Sequence, residues 1–169
     1  MFLPSVFQAA VEQLWEFSTV SPEYADVLSA PERATVEKIE DAGYERVGVG
    51  TDRIVFGLED NVVMKLARPQ HGQYDGSTAN RAEANRWSVA TGERKQLLAP
   101  ITGTGADGRW VTMERAASVR GYEHELRADF KKRCGRCGVD LSADTLCWNV
   151  GYIESRGHDC FIDYAHNIW

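Results

Sequence analysis

The stretch ERVGVGTDRIVFGLEDNVVMKLA, residues 45–67, decides the fold. It contains three short runs rich in β-branched residues, at 45–50, 53–59 and 61–67. The tripeptides at the junctions of these runs, GTD (50–52) and EDN (59–61), contain residues that favour tight turns. The pattern therefore predicts a three-stranded antiparallel meander.

Helices are predicted before this meander, and helices and strands alternate after it. The predicted helices before it cover residues 5–17, a short piece beginning at Ser21-Pro22, and a segment that opens with Ser29, Pro31 and Glu32 and ends near Gly43. The predicted elements after it are a helix at 78–91 capped by Ser77 or Thr78, strands at Pro100–Thr104 and Trp110–Glu114, a helix within 119–134, and a terminal hairpin. This order predicts an α+β fold.

Charge and hydropathy exclude several classes of protein. The chain has 169 residues and a net charge of -6, without the basic face that a general nucleic-acid binder requires. The amino terminus lacks a basic leading region and carries Glu12 and Glu16, which is unlike a secretion signal. No run is long and apolar enough to span a membrane. We therefore expect an intracellular protein that binds neither nucleic acid nor membrane.

Two charged residues occupy positions where the pattern predicts burial. Lys65 lies within the strand NVVMKLA, and Glu83 lies on the packed stripe of the following helix together with Ala79, Trp87 and Ala90. A single buried charge costs several kcal/mol, on the order of 3–5. Pairing of Lys65 with Glu83 would offset part of that cost. The alternative, left open here, is that the lysine stem extends to water and the glutamate faces solvent.

Glycines and oxygen ligands stand at two further turns. Gly48 and Gly50 flank one residue in the first predicted hairpin, where a backbone without side chains can approach a phosphate closely. Near the other end of the chain, Asn149 precedes one predicted strand and Asp163 follows the next. Amide and carboxylate oxygens of this kind suit Mg²⁺.

Taken in order, these segments resemble the motifs of the protein-kinase-like fold. GVGTDRIV (48–55) resembles the glycine-rich loop G-x-G-x-x-G-x-V, with Arg53 at the third glycine, and VVMK, ending at Lys65, resembles V-A-I-K. The family's helix-borne glutamate corresponds to Glu83. The matches to the hinge, the catalytic loop H-R-D-x-x-x-x-N and the D-F-G element are VTMERA (111–116), SADTLCWN (142–149) and Asp163-Tyr164-Ala165.

The resemblance implies a nucleotide site and a division of the chain. It implies an N-terminal helical segment at 1–44 and an ATP-binding upper lobe at 45–116, with a five-stranded antiparallel sheet and one glutamate-bearing helix. It also implies a truncated lower lobe at 117–169 with one long helix and a terminal hairpin. ATP and Mg²⁺ are the implied cofactors. The implied catalytic residues are Asp144, Lys65 and Glu83; the nucleotide contacts are Gly48, Gly50, Thr51, Lys65, Glu114 and Arg115; and the metal ligands are Asn149 and Asp163.

The likeness extends to minimal kinase-like proteins of archaea, bacteria and their viruses, which end just after the metal-binding aspartate. On this reading, a protein substrate or a partner chain covers the truncated lobe, in the cytoplasm or within a viral particle. The truncated lower lobe and the altered glycine positions, Arg53 and Ala165, favour a second reading as a pseudokinase, a binding or structural module in which catalysis is weak or lost. Ser142-Ala143 also replaces the His-Arg of the family's catalytic loop. Whether the lobe transfers phosphate stays open at this stage.

Four cysteines support a third reading. Cys134 and Cys137 form a C-x-x-C half-motif, and Cys147 and Cys160 follow at wider spacing. Such a set can hold structural zinc and define an interaction domain. The alternative is that the cysteines fill gaps in the core, where free cysteine is commonly buried.

Overall fold

The computed structural model describes residues 3–17, 28–59, 61–69, 76–119, 126–139, 141 and 149–165. Within these ranges the fold is α+β, as predicted. The helices are α1 Ser5–Phe17, α2 Ala30–Asp41, α3 Gly76–Val89, α4 Gly92–Gln96 and α5 Ala128–Arg136. The strands are β1 Arg46–Val49, β2 Arg53–Leu58, β3 Val62–Ala67, β4 Ile101–Thr104, β5 Trp110–Glu114, β6 Ser118–Val119, β7 Val150–Ile153 and β8 His158–Phe161.

The meander forms as the sequence predicts. Strands β1, β2 and β3 are consecutive antiparallel neighbours in a five-stranded antiparallel sheet of order β1-β2-β3-β5-β4. The turn between β2 and β3 places Asn61 at φ 57°, a left-handed conformation that asparagine tolerates better than most residues. A second sheet, of order β6-β7-β8, contains the predicted terminal hairpin.

The chain divides into two compact units. Unit 1 comprises Met1–Arg81 and Thr102–Met113, and unit 2 comprises Ala82–Ile101 and Glu114–Trp169. The division of the chain implied by the resemblance, into 1–44, 45–116 and 117–169, stays a prediction.

The core of unit 1 lies between α1, α2 and one face of the sheet. Alternate residues of β2 and β3 point to this face, as period-two strands require. Phe7 of α1 packs edge-on against Phe56 of β2, with ring centroids 5.8 Å apart. The buried cluster consists of Phe7, Ala10, Val11, Leu14, Val36, Ile39, Ile54, Phe56, Met64 and Leu66.

The core of unit 2 forms around β8. Phe161 lies against Phe130 of α5, with ring centroids 5.2 Å apart at 61°. The backbone of Phe161 also exchanges hydrogen bonds with the segment after α4, since its N–H donates to Leu97 O (2.7 Å) and Ala99 N–H donates to its carbonyl (2.9 Å). This pairing fixes the terminal hairpin to the residues that precede β4.

The prediction of one long helix within 119–134 is wrong at its start. Ser118 and Val119 form β6, which pairs with Tyr152 and Gly151 of β7, and α5 begins only at Ala128. Backbone pairing with β7 prevails there over the helical charge pattern, because charge pairs on a helix surface each contribute only about 0.2–0.5 kcal/mol. Helix α4 was not predicted at all. The helix predicted from Ser21 lies outside the described residues.

No helix in the described ranges has both the length and the apolar character that crossing a membrane demands.

Candidate functional site

The terminal hairpin brings Asn149 and Asp163 together at one end. Strands β7 and β8 pair with Val150 opposite Phe161, so the residues just outside this pair are also neighbours. Asn149 O accepts hydrogen bonds from Ile162 N–H at 2.7 Å and from Asp163 N–H at 3.5 Å. Both residues are half-buried. Their side chains offer an amide and a carboxylate, oxygen ligands of the type that Mg²⁺ prefers.

The residue after Asp163 is held at three points. Tyr164 N–H donates to Glu83 Oε1 at 3.0 Å, its carbonyl accepts from Arg86 Nη1, and its hydroxyl donates to Ala99 O at 2.9 Å. The Tyr164 side chain is fully buried. Since Glu83 and Arg86 stand one turn apart on α3, a single helix face binds both peptide groups of Tyr164. The backbone next to Asp163 is therefore fixed.

Burial shifts the pKa of two residues at this contact, Tyr164 and Arg86. It raises the pKa of Tyr164, and the nearby Glu83 carboxylate raises it further. Burial lowers the pKa of Arg86, while the charge of Glu83 opposes that shift. Tyr164 therefore stays a neutral hydrogen-bond donor across the physiological pH range.

The structure confirms that both unexpected charged residues are buried. Lys65 is 5% exposed and Glu83 is not exposed. Lys65 stands on the face of β3 opposite Met64 and Leu66, as alternation along a strand requires. The strand at this point is also held by Asn80 of α3, whose Nδ2 donates to Lys65 O at 3.2 Å and to Gly108 O at 2.9 Å. The pairing of Lys65 with Glu83 stays a prediction.

The glycine-rich segment forms the hairpin turn between β1 and β2. Gly48 pairs with Val55, and Gly50 N–H donates to Arg53 O at 2.8 Å. A Cβ added to Gly48 would meet no atom within 4 Å, so packing in the described structure does not require glycine there. Thr51, also predicted to contact phosphate, is exposed in this turn, whereas Arg53 is only 6% exposed.

The predicted hinge residues have partners within unit 2. Glu114 N–H donates to Pro100 O at 2.9 Å, so this amide cannot also donate to an adenine ring. The Glu114 carboxylate accepts hydrogen bonds from the backbone and hydroxyl of Ser155, at 3.2 and 2.5 Å. Arg115, the other predicted contact, is half-buried.

The predicted catalytic residue Asp144 lies outside the described residues. So does Cys147, one of the four possible zinc ligands. Cys134, Cys137 and Cys160 are buried thiols, and no three His, Cys, Asp or Glu side chains converge as a metal site within the described ranges. Burial raises the pKa of Cys134 and of Cys160 to about 12, which disfavours the thiolate that binds zinc.

Three residues that contact these segments were not identified from the sequence. Arg86 contacts the Tyr164 backbone, and Arg68 and Glu32 form a buried pair beside the glycine turn. The capping sequence at Ser29 indicated that Glu32 begins a helix. No sequence signal connected Glu32 with Arg68, which is 36 positions away.

A comparison with protein-family models finds no family that matches the chain, and a search of curated proteins finds no match.

Proposed function

We propose that this chain is a small kinase-like protein that binds Mg²⁺-ATP and transfers the terminal phosphate to a hydroxyl group of an acceptor. The hydrogen bond from Tyr164 N–H to the Glu83 carboxylate supports this most directly. The two residues are 81 positions apart. The sequence motifs assigned Glu83 to the glutamate helix and Tyr164 to the D-F-G element by separate matches. Direct contact between these two elements is what the kinase-like interpretation requires.

The donor groups at the hairpin end fit a hard divalent cation. Asn149 and Asp163 would hold Mg²⁺, with the position of Asp163 set by the fixed backbone of Tyr164. The bound ion would neutralise charge on the phosphate oxygens. Water and phosphate oxygens would complete the coordination, because Mg²⁺ binds few protein ligands in sites of this type.

The remaining predicted residues orient the reactants. Lys65 would bind the inner phosphates, and the glycine turn would cover them. Asp144 would accept the proton of the attacking hydroxyl. A new bond forms between the hydroxyl oxygen and the terminal phosphorus, the bond from that phosphorus to the bridging oxygen breaks, and ADP leaves.

Thermal unfolding with and without Mg²⁺-ATP tests binding. A ligand at 100 times its Kd stabilises a protein by about 2.7 kcal/mol. For a chain of this length, that corresponds to a rise in Tm of roughly 5–10 °C. Asp163→Asn should reduce the rise, whereas Asp129→Asn, an exposed carboxylate on α5, should leave it unchanged. No rise at millimolar nucleotide would contradict the proposal.

A pseudokinase that binds without transfer is the second candidate. The observation that favours it is the buried Arg53 at the position of the family's third glycine, where a small residue normally lets the loop close over phosphate. Phosphate transfer by wild type and by Asp144→Asn separates the candidates. Transfer that is lost in the variant supports catalysis, and equal background rates support the pseudokinase.

A further inference from the structure

Arg68 is a buried arginine directly after β3, in unit 1. Its residue is 1% exposed, and its guanidinium contacts Glu32 through two hydrogen bonds. Nε donates to Oε1 at 2.8 Å and Nη2 donates to Oε2 at 3.2 Å. Such a two-point contact fixes the plane of the guanidinium, which a lysine ammonium cannot do.

Glu32 is itself held in place at the start of α2. Its Oε2 accepts from Ser29 N–H at 2.7 Å, and its own N–H donates to Ser29 Oγ at 3.4 Å, which completes a capping box. Burial tends to raise the pKa of Glu32, but hydrogen bonds from Arg68 and Ser29 outweigh it, and the pKa lies below its ordinary value. The carboxylate is therefore an anchored acceptor.

The same arginine binds three successive carbonyls of the glycine turn. Arg68 Nη1 donates to Gly50 O at 2.7 Å and, over a longer 3.4 Å contact, to Thr51 O. The backbone N–H of Arg68 donates to Asp52 O at 2.8 Å. We call Arg68 and Glu32 together the turn clamp. It connects the start of α2 to the turn between β1 and β2.

Because Arg68 binds the carbonyl groups of the turn on one side, the amide groups of the same peptides point to the other side of the turn. In a trans peptide group the C=O and N–H bonds point in opposite directions. The N–H groups of Thr51 and Asp52 therefore point away from Arg68, and neither donates to another group of the described chain. Successive amides with this common orientation form a concave site for an anion. Asp52 also carries a carboxylate, whose negative charge works against an anion at this turn.

The first residue of α3, Gly76, packs closely against Arg68 and the turn. Gly76 N–H donates to Arg68 O at 3.2 Å. A Cβ on Gly76 would stand 2.0 Å from Asp52 O and 2.7 Å from Arg68 N. Only glycine fits this contact without displacement of the turn.

We infer that Arg68 is a positioning residue, which with Glu32 holds the amides of Thr51 and Asp52 toward a phosphate group of the bound nucleotide. This inference rests on the proposed function and extends it to residues that do not touch the ligand. The clamp acts on the phosphate end of the ligand alone. Its loss should therefore weaken binding of Mg²⁺-ATP without weakening binding of adenosine.

Two variants and two readouts test the inference. Arg68→Lys keeps a positive charge but cannot bridge Glu32 and the turn, and Glu32→Gln keeps the volume and one acceptor. In each folded variant, exchange of the hydrogen-bonded amides of Gly50 and Arg68 should rise, since these two amides close the turn. Kd for Mg²⁺-ATP should rise by about tenfold, the equivalent of one strong hydrogen bond. Kd for adenosine should change by less than about twofold, well under one such bond. Glu93→Gln, which breaks the exposed Arg136–Glu93 pair, is the control and should change neither.

Each outcome decides a separate point. Unchanged amide exchange in a folded variant overturns the claim that Arg68 and Glu32 hold the turn. Equal losses of affinity for Mg²⁺-ATP and for adenosine overturn the claim that the turn clamp acts on the phosphate end of the ligand. If Arg68→Lys does not fold, Glu32→Gln provides both readouts. If wild type binds no Mg²⁺-ATP, the proposed function and the phosphate role both fail, and amide exchange then decides only whether Arg68 orders the turn.

Discussion

Replacing Tyr164 by phenylalanine removes one hydroxyl from the centre of unit 2 and leaves the buried ring in place. The hydroxyl donates to Ala99 O at 2.9 Å, and both residues are fully buried. The substitution therefore leaves a buried carbonyl without its donor, which costs about 1–3 kcal/mol. For a chain of this length we expect Tm to fall by roughly 2–4 °C for each kcal/mol.

Urea unfolding followed by tryptophan fluorescence measures this loss. The variant should shift the transition to lower urea without a change in slope, because the surface exposed on unfolding stays the same. Tyr152→Phe is the matched control. Tyr152 is a half-buried tyrosine of β7, and its hydroxyl forms no hydrogen bond in the part of the chain that the structure describes. Its removal should change the free energy of unfolding by less than about 0.5 kcal/mol.

Comparison of the stabilities of Tyr164→Phe and Tyr152→Phe tests whether the Tyr164 hydroxyl holds the segment after β8. If Tyr164→Phe is no less stable than Tyr152→Phe, the hydroxyl does not hold the segment after β8, and the fixed position of Asp163 loses one of its three supports. If the variant is destabilised as expected, Mg²⁺-ATP affinity should also fall, since Asp163 is the adjacent residue.

Three further predictions follow from single sites. Gly48→Ala should stabilise β1 by up to about 1 kcal/mol, because no atom blocks the added Cβ. The same substitution should weaken Mg²⁺-ATP binding in calorimetric titration, because the proposed site brings phosphate close to the Gly48 backbone. Unchanged affinity would exclude this approach of phosphate to Gly48. Cys134 and Cys160 should resist iodoacetamide at pH 8 in the native protein and react in urea, because burial raises the pKa of each thiol to about 12. Mass spectrometry of the labelled peptides measures this. Rapid labelling of the native protein would contradict the burial of these thiols. The folded-state pKa of Glu32 lies below its ordinary value of 4.5. The stability that wild type gains over Glu32→Gln should therefore be present at pH 7 and shrink as the pH falls below about 4.5, as measured by urea unfolding across this range. A stability difference that does not depend on pH would refute this linkage.

Local sequence patterns predicted the elements of the sheet well. The runs at 45–50, 53–59 and 61–67 became β1, β2 and β3, because alternating β-branched residues and turn residues act over a few positions. Ser29 and Glu32 likewise predicted the start of α2. The same reasoning failed at Val119, whose strand pairing depends on a residue more than thirty positions later in the chain, Gly151.

Burial of Lys65 and Glu83 was predictable, but their neighbours were not. A charged residue within an apolar period is visible in the sequence, and the structure confirms that both are buried. The acceptor role of Glu83 toward Tyr164 and the contact of Arg68 with Glu32 join residues 81 and 36 positions apart. Such partners are selected by tertiary packing, on which local pattern carries no information.

Calorimetric titration of ATP into the protein, with Mg²⁺ and then with excess EDTA, tests the central claim most directly. The proposed site predicts saturable binding of one nucleotide per chain in the presence of Mg²⁺. The affinity should fall at least about tenfold in EDTA and likewise in Asp163→Asn. A tenfold fall corresponds to losing about 1.4 kcal/mol of metal-mediated binding. Asp129→Asn should bind as wild type does. Absence of saturable heat at millimolar ATP, or affinity indifferent to both Mg²⁺ and Asp163, would contradict the assignment of the hairpin end as a metal–nucleotide site.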